Sequence, residues 1–278
     1  TDDGIMQYDG FRFDTFGPKQ GFYSNRIRTL LKDSFGSIWA LPERMTDSVN
    51  IISGSKIKKI PYPPLEHHNV FLTAALSTTG NTQTLCAITQ ASVLIYTEDK
   101  WKSVTPLPQG IMVFMVVPSG NDFLLATSSG LFRINKNGDF SPEAPEIILP
   151  ERTVLGLGFF SSQAGVTPKL YLFGIDWLGC IENGEFKLIS REIRVPNMGI
   201  RTYPYFVSDN QGFLIFGSLP AKYIYNLTRN ELTPLNKESG YHSDGATSAF
   251  VDREKTIWFT SGRGVSKIAN FIFKKKKK

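Results

Sequence analysis

The sequence predicts an all-β chain, and within that class a β-propeller of four-stranded antiparallel blades, on three observations. Short β-type runs fill the chain from end to end, turn clusters separate them, and the runs recur at a fixed long period. Segments such as RIRTLL, VFLTAAL, VLIYT, FLLAT, KLYLFGI, FLIFGS and TIWFT are rich in Val, Ile, Phe, Tyr and Thr and are broken by SG, NG, DG and TTG. Those residues suit a pleated, half-buried strand and the tight turns between strands. No long capped stretch of helical period competes with them.

The period is read from equivalent positions. Trp39 in DSFGSIW and Trp258 in DREKTIW each follow an Asp by six residues, Asp33 and Asp252, and VSDNQGFLI places Asp209, Gly212 and Ile215 in the same register. With the tryptophan position as origin, Trp39, Cys86, Leu124, Phe173, Ile215 and Trp258 are equivalent. They recur about every 44 residues, the length of a four-stranded propeller blade. Six residues beyond come small residues, Ser92, Gly130, Ala221 and Gly264, and four further an apolar or aromatic one, Tyr96, Ile134, Tyr225 and Ile268. Gly4 and Tyr8 repeat that second half alone. The repeat at Phe173 matches through Gly179 only, and the one at Trp39 carries an insertion.

Each repeat has a physical logic. An inner strand (RIRTLLKD, GATSAFVD) ends in an Asp whose carboxylate bonds backbone N–H groups of the turn, and Gly36 or Gly212 supplies the permissive φ. A second strand carries the Trp between blades, a small-residue turn leads to a third strand (GLFRIN, GVSKIAN), and an outer fourth strand follows (FRFDTF, WKSVTPL). A sheet with two apolar faces is buried only by stacking. The expected repeats are 1–16, 17–64, 65–110, 111–150, 151–196, 197–240 and 241–273 within a single domain, 1–273, ahead of a lysine tail at 274–278. Six inner pairs and seven outer pairs imply seven blades with an incomplete first blade, the alternative being six. The strands Ile5–Tyr8 and Phe11–Phe16 lack inner partners of their own blade.

Composition narrows function. The 278 residues are 41% hydrophobic, 13% aromatic and 20% charged, which is a packed chain and not a disordered one. Five of the six net positive charges come from Lys274 to Lys278, so the rest of the chain is almost neutral and has no footprint for nucleic acid. Cys86 and Cys180 stand in apolar contexts without ligand spacing and read as core residues. No run reaches the ~18 apolar residues of a membrane helix. The start, TDDGIMQYDG, has no basic or apolar leader, so any export signal is expected outside the chain.

The best copies, DDGIMQYDGFRFDTF, YSNRIRTLLKDSFGSIW and GATSAFVDREKTIWFTSGRGVSKIANF, resemble the repeat of the two-component regulator propeller family, D-x-x-G-x-h-W-h-G-T-x-x-G-L-x-R-Y/F-D, where h is hydrophobic. The sequence departs from it at Ala40-Leu41 and Thr260-Ser261, where the family has Gly-Thr, and at Lys255, where it has Gly. The resemblance implies the periplasmic or otherwise extracytoplasmic sensor region of a bacterial histidine kinase, hybrid regulator or diguanylate cyclase. It implies a downstream signalling module of the same full-length protein as partner.

Catalytic patterns are thin. His67 and His68 point to opposite sides of an extended chain, and His242 stands alone. GVSKI, GLGFF and SSG are no nucleophile elbow, and NKNGD at Asn135–Asp139 is a hairpin turn and not a calcium loop. The expectation is therefore no catalytic residue, no metal and no cofactor. Binding chemistry in a propeller falls to loops joining outer strands to the next inner strands and second strands to third, which are free of packing duty. These contain Tyr23, Ser24, Asn25, Arg44, His67, His68, Asp176, Trp177, Arg201, Tyr203, Tyr241, His242 and Arg263. Trp177, Arg201, Tyr203, Tyr241, His242, Arg263, Arg44, Tyr23 and Asn25 are the expected ligand contacts, suited to stacking on and hydrogen-bonding a small polar or carbohydrate ligand. The leading expectation is a ligand-binding sensor domain. A protein-interaction or assembly propeller is the alternative, and a lyase or glycosidase on the same fold comes third. Dimerisation is left open.

Overall fold

The computed structural model describes residues 4–8, 11–22, 26–44, 48–64, 70–144, 146–163, 165–196, 204–209, 211–236, 246–261 and 264–268. The chain divides into two compact units, Thr1–Leu125 with Leu131–Glu143, and Ala126–Gly130 with Ala144–Lys278.

The first unit opens with a two-stranded sheet of β1 (Ile5–Tyr8) and β2 (Phe13–Phe16). A four-stranded sheet comes next, of β3 (Ile27–Lys32), β4 (Ile38–Pro42), β5 (Ser48–Ser53) and β6 (Lys56–Pro61). Its successor holds β7 (Phe71–Thr79), β8 (Thr82–Thr89), β9 (Ser92–Thr97) and β10 (Lys100–Pro106). The last holds β11 (Val113–Ser119), β12 (Asp122–Thr127), β13 (Gly130–Ile134) and β14 (Phe140–Pro142), with the Ala126–Gly130 turn belonging to the second unit. The second unit contains β15 (Gly156–Phe160), β16 (Lys169–Phe173), β17 (Leu178–Glu182) and β18 (Glu185–Ser190) in one sheet. A second sheet is made of β19 (Tyr205–Ser208), β20 (Phe213–Ser218), β21 (Ala221–Asn226) and β22 (Glu231–Pro234). A three-stranded sheet of β23 (Ser248–Val251), β24 (Ile257–Ser261) and β25 (Gly264–Ile268) completes it. Neighbouring strands are consecutive and antiparallel throughout. Six of these seven sheets carry an inner strand pair. The six equivalent positions from Trp39 to Trp258 each lie in a second strand.

Both faces of these sheets are apolar. Along β8, Leu85 and Ala87 pack with Trp39, Leu41, Val49 and Leu94, whereas Cys86 and Ile88 pack with Val113, Val116, Phe123 and Leu125. Alternate side chains of a strand leave opposite faces, so one strand feeds two clusters. Both cysteines are buried free thiols, and burial pushes the Cys86 thiol far above its ordinary range. In the second unit, Ile215 and Ile224 of the β19–β22 sheet pack with Ala249, Ile257 and Phe259 of the next.

A recurring turn sets the hairpins in register. Asp33 Oδ1 accepts the amides of Phe35 (2.9 Å) and Ser37 (2.8 Å), while its Oδ2 accepts the indole N–H of Trp39 at 3.0 Å. Asp252 repeats the set with Glu254, Thr256 and Trp258, the indole bond being 2.7 Å. Asp209 accepts Gln211 and Phe213, with Ile215 where the indole would be. The spacing of six between Asp and Trp is thus a hydrogen bond as well as a period. Lys255, standing where the repeat has Gly, still adopts the left-handed conformation at φ 65°, and its Nζ donates to the Asp209 carbonyl at 2.9 Å. At the outer hairpin of β13 and β14, Asn135 Oδ1 accepts the amides of Asn137 and Asp139, as expected of a turn.

The two tryptophans differ. Trp39 is buried between sheets, with the Tyr96 ring edge-on at 6.1 Å. Trp258 is only half-buried and lies under Lys267, whose Nζ is 5.7 Å from the ring. It sits on the far face of the last sheet of its unit, across from Phe250, which is exposed. The expectation of a second fully stacked tryptophan is corrected there. At Phe173 the ring needs a glycine opposite: a Cβ on Gly156, its strand partner, would lie 2.1 Å from the Phe173 ring. The glycine of GLGFF makes room for a ring that packs on Phe206 and Phe216.

Trp39→Ala is expected to cost about 3–5 kcal/mol in chemical denaturation, and Trp258→Ala about 1–2 kcal/mol. Gly156→Ala is expected to cost about 1–3 kcal/mol because Phe173 is displaced. Burial acts to raise the Asp33 carboxyl, but bonds from the Trp39 indole and the Ser37 and Phe35 amides outweigh it and hold it below 3.8. The Trp258 indole bond chiefly holds Asp252 below 3.8 as well. A carboxyl depressed by folding contributes stability above its unfolded value and loses it as pH falls through the folded one. Stability is therefore expected to fall below about pH 4, less steeply in the Asp33→Asn, Asp252→Asn double variant, as measured by denaturant melts across pH.

Candidate functional site

The connections from second to third strands are closed in two ways. In three sheets a hydroxyl does it: Thr89 donates to the Ser92 carbonyl (3.1 Å), Thr127 to that of Gly130 (2.8 Å) and Ser261 to that of Gly264 (3.3 Å). Thr89 and Thr127 also accept turn amides. Each hydroxyl stands three residues before the small residue of the repeat.

The β16–β17 connection is different. Asp176 occupies the hydroxyl position and accepts both of its bonds from Arg191, at 3.1 and 3.2 Å. The segment after β18 is strapped down beside it: Val195 N–H donates to the Ile175 carbonyl at 2.7 Å, and Ile193 and Val195 are fully buried. Tyr223 clamps the same segment, its hydroxyl accepting the Arg194 amide at 2.8 Å and donating to the Arg194 carbonyl at 3.2 Å. Arg194 also donates to the carbonyls of Arg191 and Ile193. On β21, Lys222 is only 6% exposed and its Nζ donates to the Pro220 carbonyl at 3.0 Å. Around the β16–β17 connection the second unit therefore holds a carboxylate and two guanidinium groups, with a buried ammonium on β21.

The structure does not gather the expected contacts into that group. Trp177 is fully buried, edge-on to Phe186 at 5.4 Å and against Gly174, so its ring belongs to the core of its sheet and not to an exposed loop surface. Its Nε1 has no hydrogen-bond partner among the described residues. Arg44 is exposed in the first unit and bridges Val70, beside a strap in which Phe71 N–H donates to the Glu43 carbonyl at 3.0 Å. Tyr23, Asn25, Arg201, Tyr203, Tyr241, His242 and Arg263 lie outside the described residues, as do Ser24, His67 and His68. Arg191, Arg194 and Lys222 are not among the residues the sequence pattern singles out. Lys222 had a signal, since it stands where the other repeats have Val93, Leu131, Cys180 and Val265.

No family model matches the chain, and no curated protein matches it. Solved structures do. The extracellular domain of BT4673 from B. thetaiotaomicron, described as a one-component or hybrid two-component system, superposes with a TM-score of 0.67 at 16% identity over 96% of this chain. PorZ, a surface component of the type-IX secretion system of Porphyromonas gingivalis, gives 0.61 at 13% identity, covering 92% of this chain and 32% of its own. The WD40 β-propeller domain of Doa1 gives 0.56 at 11% identity, over 87% of this chain and 77% of that one. The fold is a β-propeller. This chain spans about a third of the length of the BT4673 extracellular-domain chains it matches, 36% and 35%. Among the described residues no helix of the propeller is long and apolar enough to cross a membrane.

Proposed function

We propose that this propeller is the extracytoplasmic input domain of a bacterial signal-transduction protein. In this reading it binds a small polar or carbohydrate ligand without turning it over, and it relays occupancy to a signalling module elsewhere in the same protein. The observation that carries the reading is the fold match over 96% of the chain to an extracellular domain of a protein described as a hybrid two-component system. The loop chemistry supports it: Arg191 and Arg194 offer guanidinium donors and Asp176 a carboxylate acceptor, the complement that hydroxyl-rich ligands need. Arg201, Tyr203, Tyr241, His242 and Arg263 remain proposed contacts in the second unit, and Tyr23, Asn25 and Arg44 in the first, whereas the buried Trp177 is withdrawn as a contact.

An assembly role is the second reading, favoured by the PorZ neighbour, which is described as a component of a secretion system. A thermal-shift screen against glycans and small metabolites separates the two. A ligand at 100 times its Kd is expected to stabilise the chain by about 2.7 kcal/mol. Arg191→Ala is expected to abolish that shift while changing the stability of the unligated protein by under about 1 kcal/mol, as a part-exposed ion pair allows. Silence across the panel, with retention of a protein partner instead, sinks the sensor reading.

A further inference from the structure

The segment Ala144–Leu155, which leads into β15, breaks a habit of the second unit. After β18 and β22 the chain turns its apolar residues inward: Ile193 and Val195 are fully buried and Leu235 is 7% exposed. Ahead of β15, Ile148 is 89% exposed, with Leu149 and Pro150 beside it half-buried.

Ile148 is held outward by a segment tied at both ends. At the start, Ala144 takes the left-handed conformation (φ 42°) and its carbonyl accepts the Ile147 amide at 2.9 Å. At the end, the Val154 N–H donates to the Thr127 carbonyl and the Leu155 N–H to that of Phe173, both at 2.9 Å, and both side chains are fully buried. A left-handed alanine is a strained one, so the surrounding structure maintains this turn against a cost. A tip fixed in this way loses little freedom when it is covered.

One exposed isoleucine would need no explanation. Here it stands among three exposed charges, Glu146, Glu151 and Arg152, none of which has an ion-pair or side-chain hydrogen-bond partner among the described residues. Both signs are therefore unpaired around an apolar centre. A patch of that composition complements a second copy of itself, which is what a two-fold interface requires. It suits a lipid surface poorly, because two of the three charges are repelled by anionic headgroups.

We propose that this segment is a contact between two copies of the chain about a two-fold axis. Ile148 packs on its counterpart, and Arg152 of each copy meets Glu146 and Glu151 of the other. A single segment supplies a small area, so the association is weak and reversible. It needs no ligand, and it stands or falls separately from the sensor reading.

Sedimentation equilibrium of the full chain, up to about 1 mM, is expected to show a reversible equilibrium of monomer and dimer. Ile148→Asp is expected to weaken it by about tenfold or more, while moving the Tm by under about 1 °C because the side chain is exposed. The charges give a second arm that leaves Ile148 in place. Arg152→Glu makes the segment wholly acidic, and Glu146→Arg with Glu151→Arg makes it wholly basic, so each variant alone is expected to dimerise about tenfold more weakly. An equimolar mixture of the two is expected to restore dimers to about the parent level, since every facing pair is then opposite in sign. A chain that stays monomeric throughout overturns the proposal, as does a dimer indifferent to Ile148→Asp or a mixture that fails to associate. Binding to vesicles of phosphatidylcholine and phosphatidylglycerol that Ile148→Asp abolishes also overturns it, because the partner of the tip is then lipid.

Discussion

Each sheet of this protein is apolar on both faces, and the rest of the architecture depends on that constraint. On β8, Leu85 and Cys86 are neighbours in the chain but enter different clusters, so neither cluster exists unless another sheet stands on each side. A single sheet would leave one set in water at about 25 cal/mol per Å² of apolar surface. Stability is then a property of neighbouring pairs, as in other repeat proteins, and not of any blade alone. The constraint also locates the weak places. The exposed Leu30 on the first inner strand, and the exposed Phe250 and half-buried Trp258 on the last, lie on sheets beyond which, among the described residues, no further full sheet of the same unit stands.

Stacking alone does not set the register of the strands within a blade. A slip of one residue would exchange the two faces, and when both are apolar the hydrophobic pattern resists such a slip only weakly. The Asp turn supplies the missing constraint. One carboxylate oxygen holds two amides of the hairpin while the other holds the indole of the second strand, so the turn residue and the core residue are tied together. Where the indole is replaced by Ile215, the two amide bonds at Asp209 persist and Lys255 from the next hairpin donates to the Asp209 carbonyl. The strain of a left-handed lysine is thereby coupled to a contact between blades.

This division explains what was legible in the sequence. The Asp-to-Trp spacing, the small residue six further on and the alternation of apolar residues are local or periodic, and they locate the second strand of six sheets. The two-stranded sheet of β1 and β2 was legible for the same reason, because Gly4 and Tyr8 keep the spacing of a third strand. Burial at the ends of the series was not. Trp39 and Trp258 are identical in local sequence logic, yet one is enclosed and the other half-open, because burial depends on what stands opposite and not on the strand itself. The strap Arg191–Pro196 was not legible either, since Ile193 and Val195 lie in a loop without period and are held by Ile175 and Tyr223 from elsewhere in the unit.

The loops show why binding residues are harder to read than blades. Thr89, Thr127 and Ser261 close their turns by a rule of the repeat, and a hydroxyl obeying that rule has committed its one proton to the turn. Departures from the rule are more informative. Asp176 in place of a hydroxyl engages a guanidinium instead of a backbone carbonyl, and Lys222 puts an ammonium where three other repeats bury Val93, Leu131 and Cys180. Both departures fall in adjacent repeats of the second unit, and Asp176 bonds Arg191 of the strap. A repeat protein gains a specific site by breaking its own pattern locally while neighbouring blades keep the scaffold intact. Trp177 shows the reverse error: an aromatic in a loop looks like a stacking platform until its surroundings show that Phe186 and Gly174 enclose it. Recognition in this fold is therefore sought first where charge replaces the repeat's own turn chemistry, and only then where the loops are aromatic.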